Sequence, residues 1–179
     1  MNTIAARIKA CAQLEGTFTL RSGKVSDTYF DKYRFESEPV LLRDIAEEMA
    51  RLIPKGTEVL AGLEMGGIPV VTMLSQVTGL PAAFIRKKAK SYGTCRYAEG
   101  ASLDGRRFVL IEDVVSSGGA IIDALKLLRA DGQATTHALC VIDRQSGAVE
   151  ALAAEGIELR ALLTYAHIAE ALYLPKQEQ

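Results

Sequence analysis

The chain has 179 residues, 49% of them hydrophobic and 24% charged, a balance that suits one globular domain with a sizeable core. Its formal net charge of −1 supplies no basic field for nucleic acid, and its apolar runs are too short to span a bilayer. No signal-peptide core occurs between Met1 and Leu14, so a cytoplasmic protein without nucleic-acid or membrane partners is expected.

Residues Thr3 to Leu14 carry Ile4, Ile8 and Cys11 at helical spacing, which predicts a first helix stopped at Gly16. Phe18 and Leu20 then alternate ahead of a Ser22-Gly23 turn, and Tyr29 to Asp31 resume extended character. A small hairpin outside the main sheet is expected there. Ser37, Glu38 and Pro39 open a second helix with a cap, an early acid and a proline tolerated in the first turn. Leu41, Leu42, Ile45, Met49, Leu52 and Ile53 form its buried stripe, and Pro54 to Gly56 ends it. Glu58 to Gly62 reads as a short strand, followed by L-E-M-G-G-I-P and a helix through Leu74. Gly66 and Gly67 at the strand end either make a plain turn or let an anion approach the backbone. Ala82 to Ile85 is the next strand.

From Arg86 to Gly100 runs R-K-K-A-K-S-Y-G-T-C-R-Y-A-E-G, which has no apolar periodicity and is basic at its start. A loop of this length is functional or mobile, and its charges are either a solvated face or a means of neutralising a polyanion. Val109, Leu110 and Ile111 form an apolar strand that Glu112 and Asp113 are expected to end. Val114, Val115, Ser116, Ser117, Gly118, Gly119 and Ala120 follow, and Ile121, Ile122, Leu125 and Leu128 recur at helical spacing. Small residues before a helix N-terminus favour a phosphate, whereas two carboxylates suit the hydroxyls of a sugar. The loop is therefore fitted to a phosphorylated ribose; the plain alternative is a βα turn with a serine helix cap. Thr135 to Ile142 is a further strand ending in Asp143-Arg144-Gln145, and Arg144 lies where parallel sheets bind ligands. A surface pairing of Arg144 with Asp143 or Glu150 is the alternative. A helix over Ala148 to Ala154, a strand over Ile157 to Leu163, a closing helix over Tyr165 to Leu172 and a polar tail complete the chain. Cys11, Cys95 and Cys140 lack metal-ligand spacing and read as reduced thiols, and His137 and His167 give little support to a histidine mechanism.

E-D-V-V-S-S-G-G-A resembles the phosphoribosyl pyrophosphate (PRPP) signature of the type I phosphoribosyltransferases. F-x-L-x-S-G-x-x-S followed by Y-F-D is similar to the N-terminal hood of the orotate phosphoribosyltransferase family. The resemblance implies an α/β fold, a mainly parallel sheet flanked by helices, as one domain over residues 1–179 with a small hood formed mainly by residues 1–35. It implies transfer of the phosphoribosyl group of PRPP to orotate, with Mg2+ carried by PRPP rather than by the protein, in a homodimer with shared active sites. Glu112 and Asp113 would hold the ribose, and Val114 to Ala120 the 5′-phosphate. Arg21, Arg86, Lys87, Lys90 and Tyr92 would meet PRPP, with Lys90, Glu112 and Asp113 catalytic. Tyr29, Phe30, Ser116 and Arg144 would hold orotate. Two departures stand out: Tyr92 replaces a common His, and Met65-Gly66 replaces an aromatic-Lys pair of some members. A transferase for another base and a PRPP-sensing regulator are the alternatives.

Overall fold

A computed structural model describes residues 2–19, 23–88 and 97–171. Helix α1 (Asn2–Ala12) leads into a two-stranded antiparallel hairpin, β1 (Gln13–Thr19) and β2 (Val25–Phe30), separate from the main sheet. A short helix α2 (Lys32–Glu36), absent from the sequence reading, follows. It starts where the Asp31 side chain accepts the Tyr33 N–H, and the Asp31 N–H is tied to the Ala12 carbonyl at 2.8 Å. Ser37 closes α2 instead of opening the next helix. That role falls to Glu38, whose carboxylate accepts the Val40 N–H, with Pro39 first in α3 (Pro39–Ala50).

The remaining elements alternate: β3 (Val59–Leu63), α4 (Gly67–Thr78), β4 (Ala82–Ile85), β5 (Ala98–Gly100), β6 (Phe108–Val115), α5 (Gly119–Ala130), β7 (His137–Asp143), α6 (Ala148–Ala154), β8 (Glu158–Thr164) and α7 (Tyr165–Glu170). The six-stranded sheet runs in the order β5-β4-β3-β6-β7-β8 and is parallel except for β5, which pairs antiparallel with β4. Its central strands are largely buried on both faces because helices cover both. Along β6 the side chains alternate between two cores. Val109 and Ile111 pack with α1, α3, α4 and α7, whereas Phe108 and Leu110 pack with α5 and α6. Val109, Leu110 and Ile111 are fully buried, each contributing roughly 1.5–3 kcal/mol of hydrophobic stabilisation.

One expectation about β6 fails in an informative way. The strand does not stop at Glu112 and Asp113 but continues through them to Val115, with Glu112 paired to Cys140 and Val114 to Ile142 of β7. Both carboxylates are consequently buried inside the sheet. The ligand-facing loop starts only at Ser116.

Candidate active site

The loop between β6 and α5 is shaped by its glycines and serines. Gly118 adopts a left-handed backbone (φ 79°) as the N-cap of α5, and no side chain caps that helix. A serine cap is therefore not what the loop uses. A Cβ at Gly118 would be strained by that backbone and would lie 3.1 Å from Leu152. Ser116, Ser117, Gly119 and Ala120 are exposed, and the uncapped first-turn N–H groups of α5 face solvent chemistry suited to an anion. Glu112 and Val114 through Ile121 enclose a cavity of about 200 Å³ at this loop.

Asp113 lies on the face of β6 shared with Val109 and Ile111, which turns it toward α2 and the start of α4. Lys32 Nζ is 2.7 Å from its Oδ2. Gly66, the N-cap of α4, packs so closely that a Cβ there would stand 2.2 Å from the same oxygen. Glu36 adds a third carboxyl, 5% exposed, with neither oxygen accepting a hydrogen bond among the described residues. Burial pushes the Glu36 carboxyl up to about 9, helped by its hydrogen bond to Asp113 and that group's charge. Burial likewise raises Glu112 to about 8, with Asp113 as the next cause. For Asp113 burial acts upward as well, but hydrogen bonds with Glu36, Glu112 and Lys32 outweigh it and hold the carboxyl below its ordinary value. Lys32 loses from burial and gains more from Asp113, so its ammonium is held above the usual value. The cluster thus keeps one firm anion, Asp113, beside one firm cation.

A second cavity of about 240 Å³ lies under the hairpin, lined by Gln13, Ser26, Thr28, Tyr29, Phe30, Arg144, Tyr165, Ile168 and Ala169. It brings together Tyr29, Phe30 and Arg144, three of the residues expected to hold a base; Ser116 lines the loop cavity instead. The Arg144 guanidinium lies 5.6 Å from the Tyr165 ring centroid, while Asp143 accepts the Gln145 N–H at 2.8 Å. A pairing of Arg144 with Asp143 or Glu150 is not formed. The Arg144 N–H donates to the Val115 carbonyl at 2.8 Å, so a residue of each cavity meets at the ends of β6 and β7.

Arg86 and Lys87 line a third space of about 320 Å³ with Glu64, Ala120 and Asp123, at the ends of β3 and β4. The Lys87 N–H donates to Glu64 Oε1 at 2.6 Å, and Arg86 Nε is buried without a partner among the described residues. Met65 is exposed beside Gly66. Arg21, Lys90, Tyr92 and Cys95 lie outside the described residues. The sequence reading missed Lys32, Glu36 and Tyr165. For the first two the available signal was a Lys and a Glu four residues apart, directly after the Y-F-D of the hairpin.

The phosphoribosyl transferase domain family matches residues 37–157. An orotate phosphoribosyltransferase of Nocardioides sp. is 51% identical over 166 residues, 93% of either chain. The crystal structure of Mycobacterium tuberculosis orotate phosphoribosyltransferase in complex with Fe(III) dicitrate matches with a TM-score of 0.85 at 29% identity, over 93% of this chain and 97% of that one. The same enzyme in complex with PRPP gives 0.81 at 26% identity, over 94% and 98%. A hairpin carrying Tyr29 and Phe30, an acidic pair running into a small-residue loop, and this breadth of likeness place the chain in the phosphoribosyltransferase family, among the orotate phosphoribosyltransferases.

Proposed function

We propose that the chain transfers the 5-phosphoribosyl group from PRPP to orotate, releasing pyrophosphate and forming orotidine 5′-monophosphate. One observation carries the reading: the Arg144 N–H bonded to the Val115 carbonyl sets a cavity lined by aromatic residues and an arginine beside an uncapped phosphate-type loop. Such a pair of cavities suits an anionic planar base on one side and a sugar phosphate on the other.

In this reading the 5′-phosphate sits on the loop from Ser116 to Ala120, held by backbone N–H groups at the start of α5. Glu112, which lines the loop cavity, accepts hydrogen bonds from the ribose hydroxyls, and Asp113, buried behind it, supplies negative charge beneath the ring. As the bond from the anomeric carbon to pyrophosphate lengthens, positive charge grows on the ribose and negative charge on the leaving group. Asp113, already ionised, favours the first. Arg86 and Lys87, with Lys90 and Arg21 from outside the described residues, favour the second. Arg144 meets the carboxylate of orotate as a two-pronged donor while Tyr29 and Phe30 border the ring. Catalysis then rests on positioning and electrostatics, with no covalent enzyme intermediate.

Among the described residues no group of three or more His, Cys, Asp or Glu side chains could hold a metal ion, and the Lys32 ammonium stands against Asp113. These residues do not fit a protein-held ion, and the magnesium is assigned to PRPP as part of the substrate. Its chemistry would be charge neutralisation on the pyrophosphate.

The proposal extends to one domain with the hairpin as hood, to a homodimer in which the segment between Arg86 and β5 reaches the partner's site, and to the cytoplasm as location. Among the described residues no helix is long and apolar enough to cross a membrane. The deciding experiment is pyrophosphate release with magnesium and PRPP, offering orotate, uracil, adenine and hypoxanthine in parallel. Release with orotate alone is expected. Turnover of a purine would overturn the base assignment, and silence with every base despite PRPP binding would turn the chain into a PRPP sensor. Sedimentation as a monomer at assay concentrations would remove the shared site.

A further inference from the structure

Helix α2 carries two ionisable side chains that no motif accounts for. Lys32 and Glu36 are four residues apart, so they share one face of the helix. That face meets β6, where Lys32 Nζ lies 2.7 Å from Asp113 Oδ2. The Asp113 side chain is wholly buried, and that of Lys32 is 34% exposed, which leaves the ammonium a solvent side. Glu36, one turn along the same face of α2, has both of its oxygens buried and no donor supplied to them among the described residues. The start of α4 closes the cluster with Gly66, which brings no side chain. Two ionised carboxylates in this setting, with Glu112 close by, would carry more negative charge than the one Lys32 ammonium offsets. A proton retained on Glu36 and donated to Asp113 removes the conflict.

We propose that Lys32 and Glu36 are positioning residues for the transfer reaction, which together hold Asp113 ionised and fixed beneath the ribose of the phosphoribosyl donor. The inference rests on the reading that PRPP is that donor, and it deepens it by adding two residues of the hood side to the ribose site. The charged groups acting on Glu36 are Asp113 and Glu112 of β6 and Lys32 of its own helix. On α1 and α3, which also pack on α2, Arg7 and Asp44 are paired with each other. The direction of the titrations agrees with the geometry: Glu36 is driven toward its neutral form, and Asp113 toward its charged one.

The test has a binding arm and a titration arm. Calorimetry with magnesium and PRPP on Lys32→Ala is expected to show a dissociation constant raised about tenfold or more, the effect of about 1.4 kcal/mol. Lys32→Arg, which keeps the charge, should restore most of the affinity. Glu36→Gln reproduces a neutral carboxyl that can donate, so its PRPP affinity and kcat should stay within about threefold of wild type. Glu36→Ala should lose both. In the ligand-free protein, carbon-13 carboxyl NMR should show Glu36 still protonated at neutral pH and Asp113 ionised. Unchanged PRPP affinity in Lys32→Ala, equal losses in Glu36→Gln and Glu36→Ala, or an ionised Glu36 at neutral pH would each overturn the proposal. A wild-type chain that fails to bind PRPP would refute the donor instead, and the carboxyl signal would then judge the clamp alone.

Discussion

Gly66→Ala probes the packing of the buried Asp113 carboxylate. The backbone at Gly66 is right-handed helical (φ −67°, ψ −31°), which alanine adopts freely. On backbone grounds alone the substitution should stabilise the chain by about 0.4–1 kcal/mol. The added methyl, however, would stand 2.2 Å from Asp113 Oδ2, 2.3 Å from its Cγ and 2.6 Å from its Oδ1. Carbon and oxygen in contact keep roughly 3.3 Å or more apart, so the carboxylate must retreat by about 1 Å. Asp113 has no exposed surface, so there is no open space to receive it. Overpacking of this kind costs about 1–3 kcal/mol. The retreat also stretches the 2.7 Å contact with Lys32, and complete loss of a buried charge's partner costs about 3–5 kcal/mol.

Partial loss of that pair puts the net destabilisation of Gly66→Ala at about 1–4 kcal/mol, a fall in Tm of roughly 2–15 °C for a domain of this size. Thermal unfolding and initial rates of pyrophosphate release, measured together, check it. Gly132→Ala is the control: its left-handed backbone (φ 74°) strains an alanine, but a Cβ there meets nothing within 4 Å. It should lose stability without losing turnover. A Gly66→Ala protein with wild-type Tm and wild-type KM for PRPP would refute the reasoning. The double variant with Lys32→Ala gives a second check, because two changes acting on one carboxylate should be less than additive.

Three further outcomes are expected. Arg144→Ala should raise the KM for orotate by the worth of a charge-assisted bond, about 1.5–3 kcal/mol, and Arg144→Lys should recover only part; comparison of both KM values checks that the PRPP side is spared. Leu110→Ala, in the fully buried centre of β6, should cost about 2–5 kcal/mol, read from the urea midpoint. Stability should fall as pH rises from about 4.5, the ordinary carboxyl value, toward 8 and 9, because Glu112 and Glu36 keep protons in the folded chain that they lose when unfolded. Asp113 acts oppositely, its contribution being lost as pH falls through its lowered value. Urea midpoints across that interval should therefore decline in the wild type and decline less in Glu36→Gln.

The parts of the fold that follow from local pattern were legible in the sequence. Ala82–Ile85 and Ala148–Ala154 have the bounds their apolar spacing suggests, and the hairpin stands apart from the sheet as alternation implied. What escaped depends on distant partners. Glu112 and Asp113 read as the end of a strand because buried charge is costly. They stay within it because β7 supplies backbone partners and Lys32 supplies a cation from far earlier in the chain. Helix α2 is too short for periodicity to register and exists through the Asp31 cap. Strand β5 is three residues paired on the outer edge of β4. The same division holds for the site: Tyr29, Phe30 and Arg144 carry recognisable sequence, whereas Lys32 and Glu36 gain meaning only from what they touch.

That contact has a mechanical consequence. Phe30 lines the cavity under the hairpin and ends β2, Asp31 caps α2, and Lys32 reaches Asp113, whose neighbours Glu112 and Val114 line the loop cavity, so one short segment bears on both. Its anchor is Phe35, wholly buried, with its ring 6.5 Å from that of Phe30 and lining neither cavity. Phe35→Leu keeps the apolar character and most of the volume, so it should cost less than about 1.5 kcal/mol and leave the fold intact. If α2 transmits position between the cavities, KM should rise for both PRPP and orotate in this variant, although the altered side chain meets neither. A change confined to Tm, with both KM values at wild type, would mean that the two cavities are set independently of α2.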